Sequence, residues 1–357
     1  MSGQTMSTVT ARIGRWKAQI LKHAAPVEVF GRVGVSIKHD LNIPGQSSDT
    51  AVFRRWLPKG ATAASPNTWS VDPAAHLLNE GETPAAETVG NQDITVQLQE
   101  YGVLYRFSNR VADMYEDDVP PEMKKIAGER MGLLMELIRY GQLKAGTNVY
   151  RAGAVASRAL ITGLVSVNML NNIKRGFTNN IAGEVTEVLT ASPGVGTQPV
   201  EGGFIIVCSG DLENDVRALN GFIHASEYSS QKRIHEKELG SVGPYRFIVS
   251  THMAPYLNAG AATTLNTRLA GGVPNTTGAE LIDVYSLIVL SEESFGDVML
   301  RGSASMKTVS ILPAGMKTKD DPLGQRGYVG ASGYMAVVRL NEFWMAVGEV
   351  GASALMN

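Results

Sequence analysis

The run Asp93–Val111, DITVQLQEYGVLYRFSNRV, decides how the rest of the chain is read. Ile94, Val96 and Leu98 alternate with Thr95, Gln97 and Gln99, and after Gly102 the apolar phase moves to Val103, Tyr105 and Phe107. A period of two belongs to a strand, and a change of phase at glycine marks a bulge. At about 3.3 Å per residue, the positions from Ile94 to Phe107 span roughly 46 Å. A chain of this length has a radius of gyration of only about 20 Å. Such a strand is expected to leave the body of the molecule. Its unpaired backbone groups then need cover from another subunit, so the run points to obligatory assembly.

Working outward, Thr50–Leu57 reads as the partner strand, with Val52, Phe53, Trp56 and Leu57 around the pair Arg54 and Arg55. Between the two strands, Pro58 to Gln92 holds no sustained period and is longer than a connector inside a compact domain should be. It is read as the tip of a protruding hairpin, with Trp69, Leu77 and Leu78 as its large apolar groups. Aromatic anchors of this kind suit a docking contact. The segment Ala11–Ala25 places Ile13, Trp16, Ile20 and Ala24 at helical spacing and Arg12, Arg15, Lys17 and Lys22 on other faces, as an amphipathic N-terminal arm would.

Downstream of the hairpin, Asp113, Glu116, Asp117 and Asp118 precede Pro120 and Pro121, where negative charge suits the start of a helix better than it marks a metal site. From Glu122 to Ala145, Met123, Ala127, Met131, Leu134, Ile138 and Gly141 form one stripe, leaving Lys124, Lys125, Glu129, Glu136 and Arg139 mostly outside. This is expected to be the longest helix. Ser166 can cap a second helix carrying Val167, Leu170, Ile173 and Phe177. The continuous apolar runs Phe204–Cys208, Phe247–Val249 and Leu287–Leu290 predict strands buried on both faces. With the helix after the first of them they form an α/β layer. Ala259–Thr277 reads as an exposed loop, and the tail returns to strands at Met306–Leu312 and Tyr328–Val350, the latter broken near Asn341 and Glu342.

Composition excludes some functions. The 32 basic and 34 acidic residues leave a net charge of −2, which is no footprint for a general nucleic-acid clamp. The lone cysteine, Cys208, lies inside an apolar run and reads as a buried small hydrophobe. No apolar stretch reaches the roughly 20 residues of a membrane span, so no membrane partner is expected. The chain carries no P-loop, no dinucleotide glycine motif and no nucleophile elbow. His235 and Glu236 begin an HExxH-like pattern, but Leu239 replaces the second histidine. We therefore expect no catalytic, cofactor-binding or metal-ligating residues and no cofactor. An α/β enzyme with Asp211 and Asp215 as its acids, and a tail-tube subunit, are the competing readings.

Particular segments carry a resemblance. Phe53–Leu57, then Leu78, Asn79, Glu80, Gly81 and Thr83, then Gln99, Tyr101, Gly102 and Phe107 resemble the elongated loop of the major capsid proteins typified by that of coliphage N-four. Ala145–Val149 resembles the end of that family's long helix, and Asp211, Asp215, Val216 and Arg217 its strand-to-helix motif. Ala225, Tyr228, Glu238, Gly240, Gly243, Arg246 and Phe247 follow in order, and the clearest stretch is Asp321–Gly327 with Val329, Asn341, Trp344 and Met345.

The resemblance implies an α+β chain of the Hong Kong 97 capsid type. Its parts would be an N-terminal arm over 1–48, an extended β-hairpin loop over 49–111, a peripheral domain over 112–165 and 302–340 with a spine helix at 120–146, and an α/β axial domain over 166–301 and 341–357. It further implies a structural protein of the bacteriophage head, assembled in the bacterial cytoplasm as hexamers and pentamers with portal, scaffold or cement proteins as partners. Packaged double-stranded DNA would be contacted weakly, chiefly by Arg12, Arg15, Lys17 and Lys22 of the arm. Subunit contacts are expected at Phe53, Arg54, Arg55, Trp56, Trp69, Leu77, Leu78 and Tyr101.

Overall fold

The computed structural model of the chain describes residues 28–31, 37–41, 49–78, 80, 87–114, 119–185, 202–228, 233–263, 280–300, 306–317 and 319–353. The amphipathic segment with Arg12, Arg15, Lys17 and Lys22 lies outside these residues, as do Glu116–Asp118. In chain order the first elements are β1 (Ile37–Leu41), β2 (Thr50–Leu57), β3 (Gly90–Gln97), β4 (Gln99–Ser108), α1 (Asn109–Met114), α2 (Val119–Lys144) and β5 (Val149–Arg151). Next come α3 (Val167–Asn179), β6 (Phe204–Ser209), α4 (Glu213–Arg217), β7 (Phe222–His224), β8 (Glu238–Val242) and β9 (Tyr245–Ser250). The remainder is β10 (Ala262–Thr263), β11 (Glu280–Leu281), β12 (Tyr285–Leu290), β13 (Phe295–Leu300), β14 (Met306–Leu312), β15 (Arg326–Arg339) and β16 (Met345–Val350).

The continuous apolar runs form the centre of a seven-stranded mixed sheet in the order β5-β16-β12-β6-β9-β8-β7. Along β6 the side chains divide by parity. Phe204, Ile206 and Cys208 join Leu170, Ile173 and Phe177 of α3 in one core, while Ile205 and Val207 join Met131, Met135 and Leu143 of α2 in another. A strand with helices on both faces has no polar side to show, which is why it reads as an unbroken apolar run. Ser166 caps α3 as expected, its Oγ accepting from Met169 N at 3.3 Å.

The second sheet is built on β15. One edge of β15 pairs with β4 from Arg326↔Ser108 to Met335↔Gln99, and the other edge takes β14 and then β13, to which β1 adds in parallel. Phe107 faces Gly327 in this register. Sheet membership cuts across the segments read from sequence: β5 joins the seven-stranded sheet, and β1, β4 and β13 join the five-stranded one.

The long helix α2 binds the two sheets together. Met123 and Ala127 lie against Phe107 and Val329 at its start, and Met131, Met135, Tyr140 and Leu143 reach the seven-stranded sheet further on. Its 26 residues span about 39 Å at 1.5 Å each. Here the structure corrects the sequence reading, because Glu136 and Arg139 are buried, Leu134 and Ile138 are only partly so, and Gly141 is exposed. The buried positions Met123, Ala127, Met131, Met135, Arg139 and Leu143 follow strict steps of four. Such a stripe winds around the helix, as it must when one helix leaves the face of one sheet for that of another.

The deciding run also departs from expectation. It is two strands separated at Leu98, with β3 paired to β2 as a hairpin and β4 paired inside the five-stranded sheet. The inward phase changes between Leu98 and Tyr101, across Gln99 and Glu100 rather than at Gly102, which sits in regular register with Ser332. Leu98 is buried, and its N–H donates to Asp49 O at 2.8 Å. The last residues of the run, Asn109–Val111, are helical rather than extended.

Candidate assembly surface

The β2–β3 hairpin is a sheet of its own, in register from Thr50↔Gln97 to Leu57↔Gly90. Alternation along β2 gives it two unlike faces. Ala51, Phe53 and Arg55 turn inward, and Val52, Arg54 and Trp56 turn outward. Ala51 is buried with Leu98, Val298 and Ala336, and Phe53 lies over Gly296, where an added Cβ would come within 3.0 Å of its ring. The inner face therefore belongs to the chain's own body, and the hairpin does not stand clear of it on both sides.

Arg55 fastens the hairpin to that body. Its Nη2 donates to Leu340 O at 2.6 Å, and its guanidinium lies 5.9 Å from the ring centroid of Trp344. Burial lowers its pKa. On the outer face Arg54 faces Asp93 across the pair and binds it in a bidentate way, at 2.7 and 2.8 Å, raising the pKa of Arg54 and lowering that of Asp93. This pair is exposed, so its worth lies in fixing register more than in stability.

Beyond the strands the loop turns back toward the body. Asn341 Nδ2 donates to Asn67 Oδ1 at 3.0 Å, and a cleft of about 370 Å³ opens between Trp56, Asn67 and Trp69 on one side and Asn180, Ile181 and Trp344 on the other. Trp344 is held by its Nε1, which donates to Asn180 O at 3.0 Å. The outer face and the tip are uncovered: Trp56 of β2 is 64% exposed, and in the tip Trp69 is 67%, Leu77 77% and Leu78 68%. Tyr101, grouped with these residues by sequence, sits elsewhere. It is half-buried against the α2 core, and its hydroxyl donates to Gln99 Oε1.

A second anchoring point escaped sequence reading. The backbone N–H groups of Val29 and Phe30 both donate to Glu136 Oε1 at 2.8 Å, Phe30 stacks on Tyr140, and His235 Nε2 donates to Glu28 O at 3.1 Å. Lys237 N donates to His235 Nδ1, which fixes the proton of that ring on Nε2. Arg139 lies beside this knot, 3.7 Å from Glu136 and 3.0 Å from Asp297 of β13. Residues 28–31 are thereby tied to α2 and through it to both sheets. The step-of-four series through Met131 and Met135 to Arg139 was the signal available in the sequence.

Several reactive side chains are engaged in the core or in local hydrogen bonds. Cys208 is fully buried in the core, its thiol pushed up to about 12 by desolvation, and so is not a nucleophile at neutral pH. Asp215, one of the acids of the competing enzyme reading, is buried and accepts from Ser353 N at 2.9 Å. Ser209 Oγ accepts from Asp211 N at the turn between them. Glu349 is buried on β16 and bound by both Arg151 and Arg158. Among the described residues no cluster of histidine, cysteine and carboxylate side chains could hold a metal ion, and no helix is long and apolar enough to cross a membrane.

Neither a protein-family profile nor a curated protein sequence matches the chain. Its fold does match solved structures. A chain of the capsid of Ralstonia phage GP4 is 12% identical and superposes with a TM-score of 0.63, covering 97% of this chain and 96% of that one. A chain of the capsid of Cyanophage P-SCSP1u is 11% identical with a TM-score of 0.57, covering 96% and 93%. One from the mature capsid of bacteriophage PhiM1 is 13% identical with a TM-score of 0.56, again over 96% and 93%. At these identities the likeness is one of fold: a mixed α+β architecture found in phage capsids and spanning nearly the whole chain.

Proposed function

We propose that the chain is the major capsid protein of a tailed bacteriophage, of the Hong Kong 97 type, and that its role is structural rather than catalytic. The observation that carries this reading is the match of fold over almost the full length of both chains, 97% and 96% for the Ralstonia phage capsid chain. Copies close into hexamers and pentamers of an icosahedral shell around double-stranded DNA. Head-to-tail contacts between identical subunits close into rings when the rotation allows. The seven-stranded sheet is the axial unit that meets its copies around the local symmetry axis, and the five-stranded sheet with α2 is the peripheral unit.

The outer face and tip of the hairpin, with Arg54, Trp56, Trp69, Leu77 and Leu78, supply the contact with an adjacent subunit. Phe53 and Arg55 hold the hairpin in place for it. Each contact is modest, and a subunit held by several neighbours gains from effective concentration. The net charge of −2 suits an inner wall past which DNA slides, with the N-terminal arm as its basic element. Portal, scaffold or cement proteins complete the virion. Electron micrographs of the protein expressed alone and with the neighbouring genes of its source test this reading. Closed shells of uniform diameter are expected; open tubes or small discrete oligomers in both preparations would overturn it.

A further inference from the structure

We propose that the cleft between the hairpin and the body is the receptor for the hairpin tip of a second copy of this chain, entered by Leu77 and Leu78. This rests on the capsid reading and names the acceptor that reading leaves open. Three of the four tryptophans of the chain, Trp56, Trp69 and Trp344, line this one cleft. Trp56 and Trp69 are 64% and 67% exposed, although exposed aromatic side chains in a concave site are the usual anchors of an interface.

The chain itself leaves the aromatic walls supplied by Trp56 and Trp69 open to water, and an incoming apolar segment covers them. The tip of the same chain carries such apolar side chains, with Val71, Leu77 and Leu78 at 66%, 77% and 68% exposure on either side of a 3-10 turn at Ala74–His76. In a head-to-tail ring every copy offers one tip and one cleft, so each cleft is filled once.

The test mixes two singly substituted full-length chains, Leu78→Cys and Ile181→Cys, Ile181 being a cleft wall that is 64% exposed. Buried Cys208 does not compete, its thiol being pushed up to about 12. After assembly and mild oxidation, a disulfide-linked dimer is expected in the shells and not in the unassembled protein. A control chain carrying Leu323→Cys, at a position 74% exposed outside the cleft, is expected to give none with Ile181→Cys. Shells that form without the Leu78–Ile181 link, or in which the control links equally well, overturn the proposal and leave the capsid reading standing. A wild-type chain that never forms shells overturns both. Should the cysteine chains not assemble, a Trp16→Phe chain decides by fluorescence. Assembly is expected to shift its emission to the blue as the cleft trio loses water, and an unchanged spectrum counts against the proposal.

Discussion

Arg139 stands between Glu136 and Asp297 where water does not reach, and its loss leaves two carboxylates facing each other. Removing one partner of a buried ionic group costs about 3–5 kcal/mol, so Arg139→Met is expected to lower the unfolding free energy by about that much in urea titrations. Glu136→Gln should cost less, since an amide oxygen can still accept from Val29 and Phe30. Gly327 is constrained from the other side of the molecule, because an added Cβ would fall 2.2 Å from Phe107 Cζ. Gly327→Ala is therefore expected to cost about 1–3 kcal/mol through overpacking, read as a lower melting temperature. Its neighbour Gly324 holds a φ of +68° in the turn that Asp321 closes by accepting from Arg326 N. Tyr140 gives a pH signature. Burial raises its pKa to about 12, from about 10 in an unfolded chain. The stability it contributes is complete below about pH 10 and is lost as the pH rises toward about 12. In Tyr140→Phe that part of the alkaline loss should vanish from pH-dependent melting curves.

At the scale of elements, the run from Gly90 to Ser108 does two jobs. Its first half braces a hairpin and its second half is the longest partner of β15, with Leu98 buried at the join. At the join Leu98 N–H bonds to Asp49 O at 2.8 Å, which ties the start of β2 to the end of β3. Replacing residues 58–89 by Asn-Gly suits a two-residue hairpin turn between the paired residues Leu57 and Gly90. We expect that chain to keep its circular dichroism and melting transition and to form no shells by sedimentation. A deletion that assembles normally would remove the role given to the tip.

These elements also show what was legible in the sequence. The bounds of β2, the cap of α3, the buried strands β6, β9 and β12 and the break in the tail near Asn341 follow from periodicity and capping, which are local. The change of pairing partner at Leu98 is not local. It depends on β15, more than 200 residues further along the chain, so the alternation alone could not say where one sheet ends and the other begins. The same holds for Arg139, whose buried partner Asp297 is distant in sequence, and for the cleft, which needs Asn67 and Trp344 brought together. That Trp69, Leu77 and Leu78 are exposed was legible, because apolar groups in an aperiodic loop stand out against their surroundings.

For the whole molecule, the two sheets and the one helix that joins them form the body, and the hairpin is the part whose outer face and tip the body does not use. On the proposed reading, copies of the chain cover that face and tip. The most direct measurement is a cryo-electron microscopy reconstruction of the assembled wild-type protein, at a resolution that traces Thr50–Leu57 and Gly90–Gln97 and the tip between them. The account expects a closed icosahedral shell in which the outer face of that hairpin, with Trp56, Leu77 and Leu78, lies on a neighbouring subunit. Shells in which those residues face solvent while other surfaces make every contact, or an assembly that does not close, would contradict it.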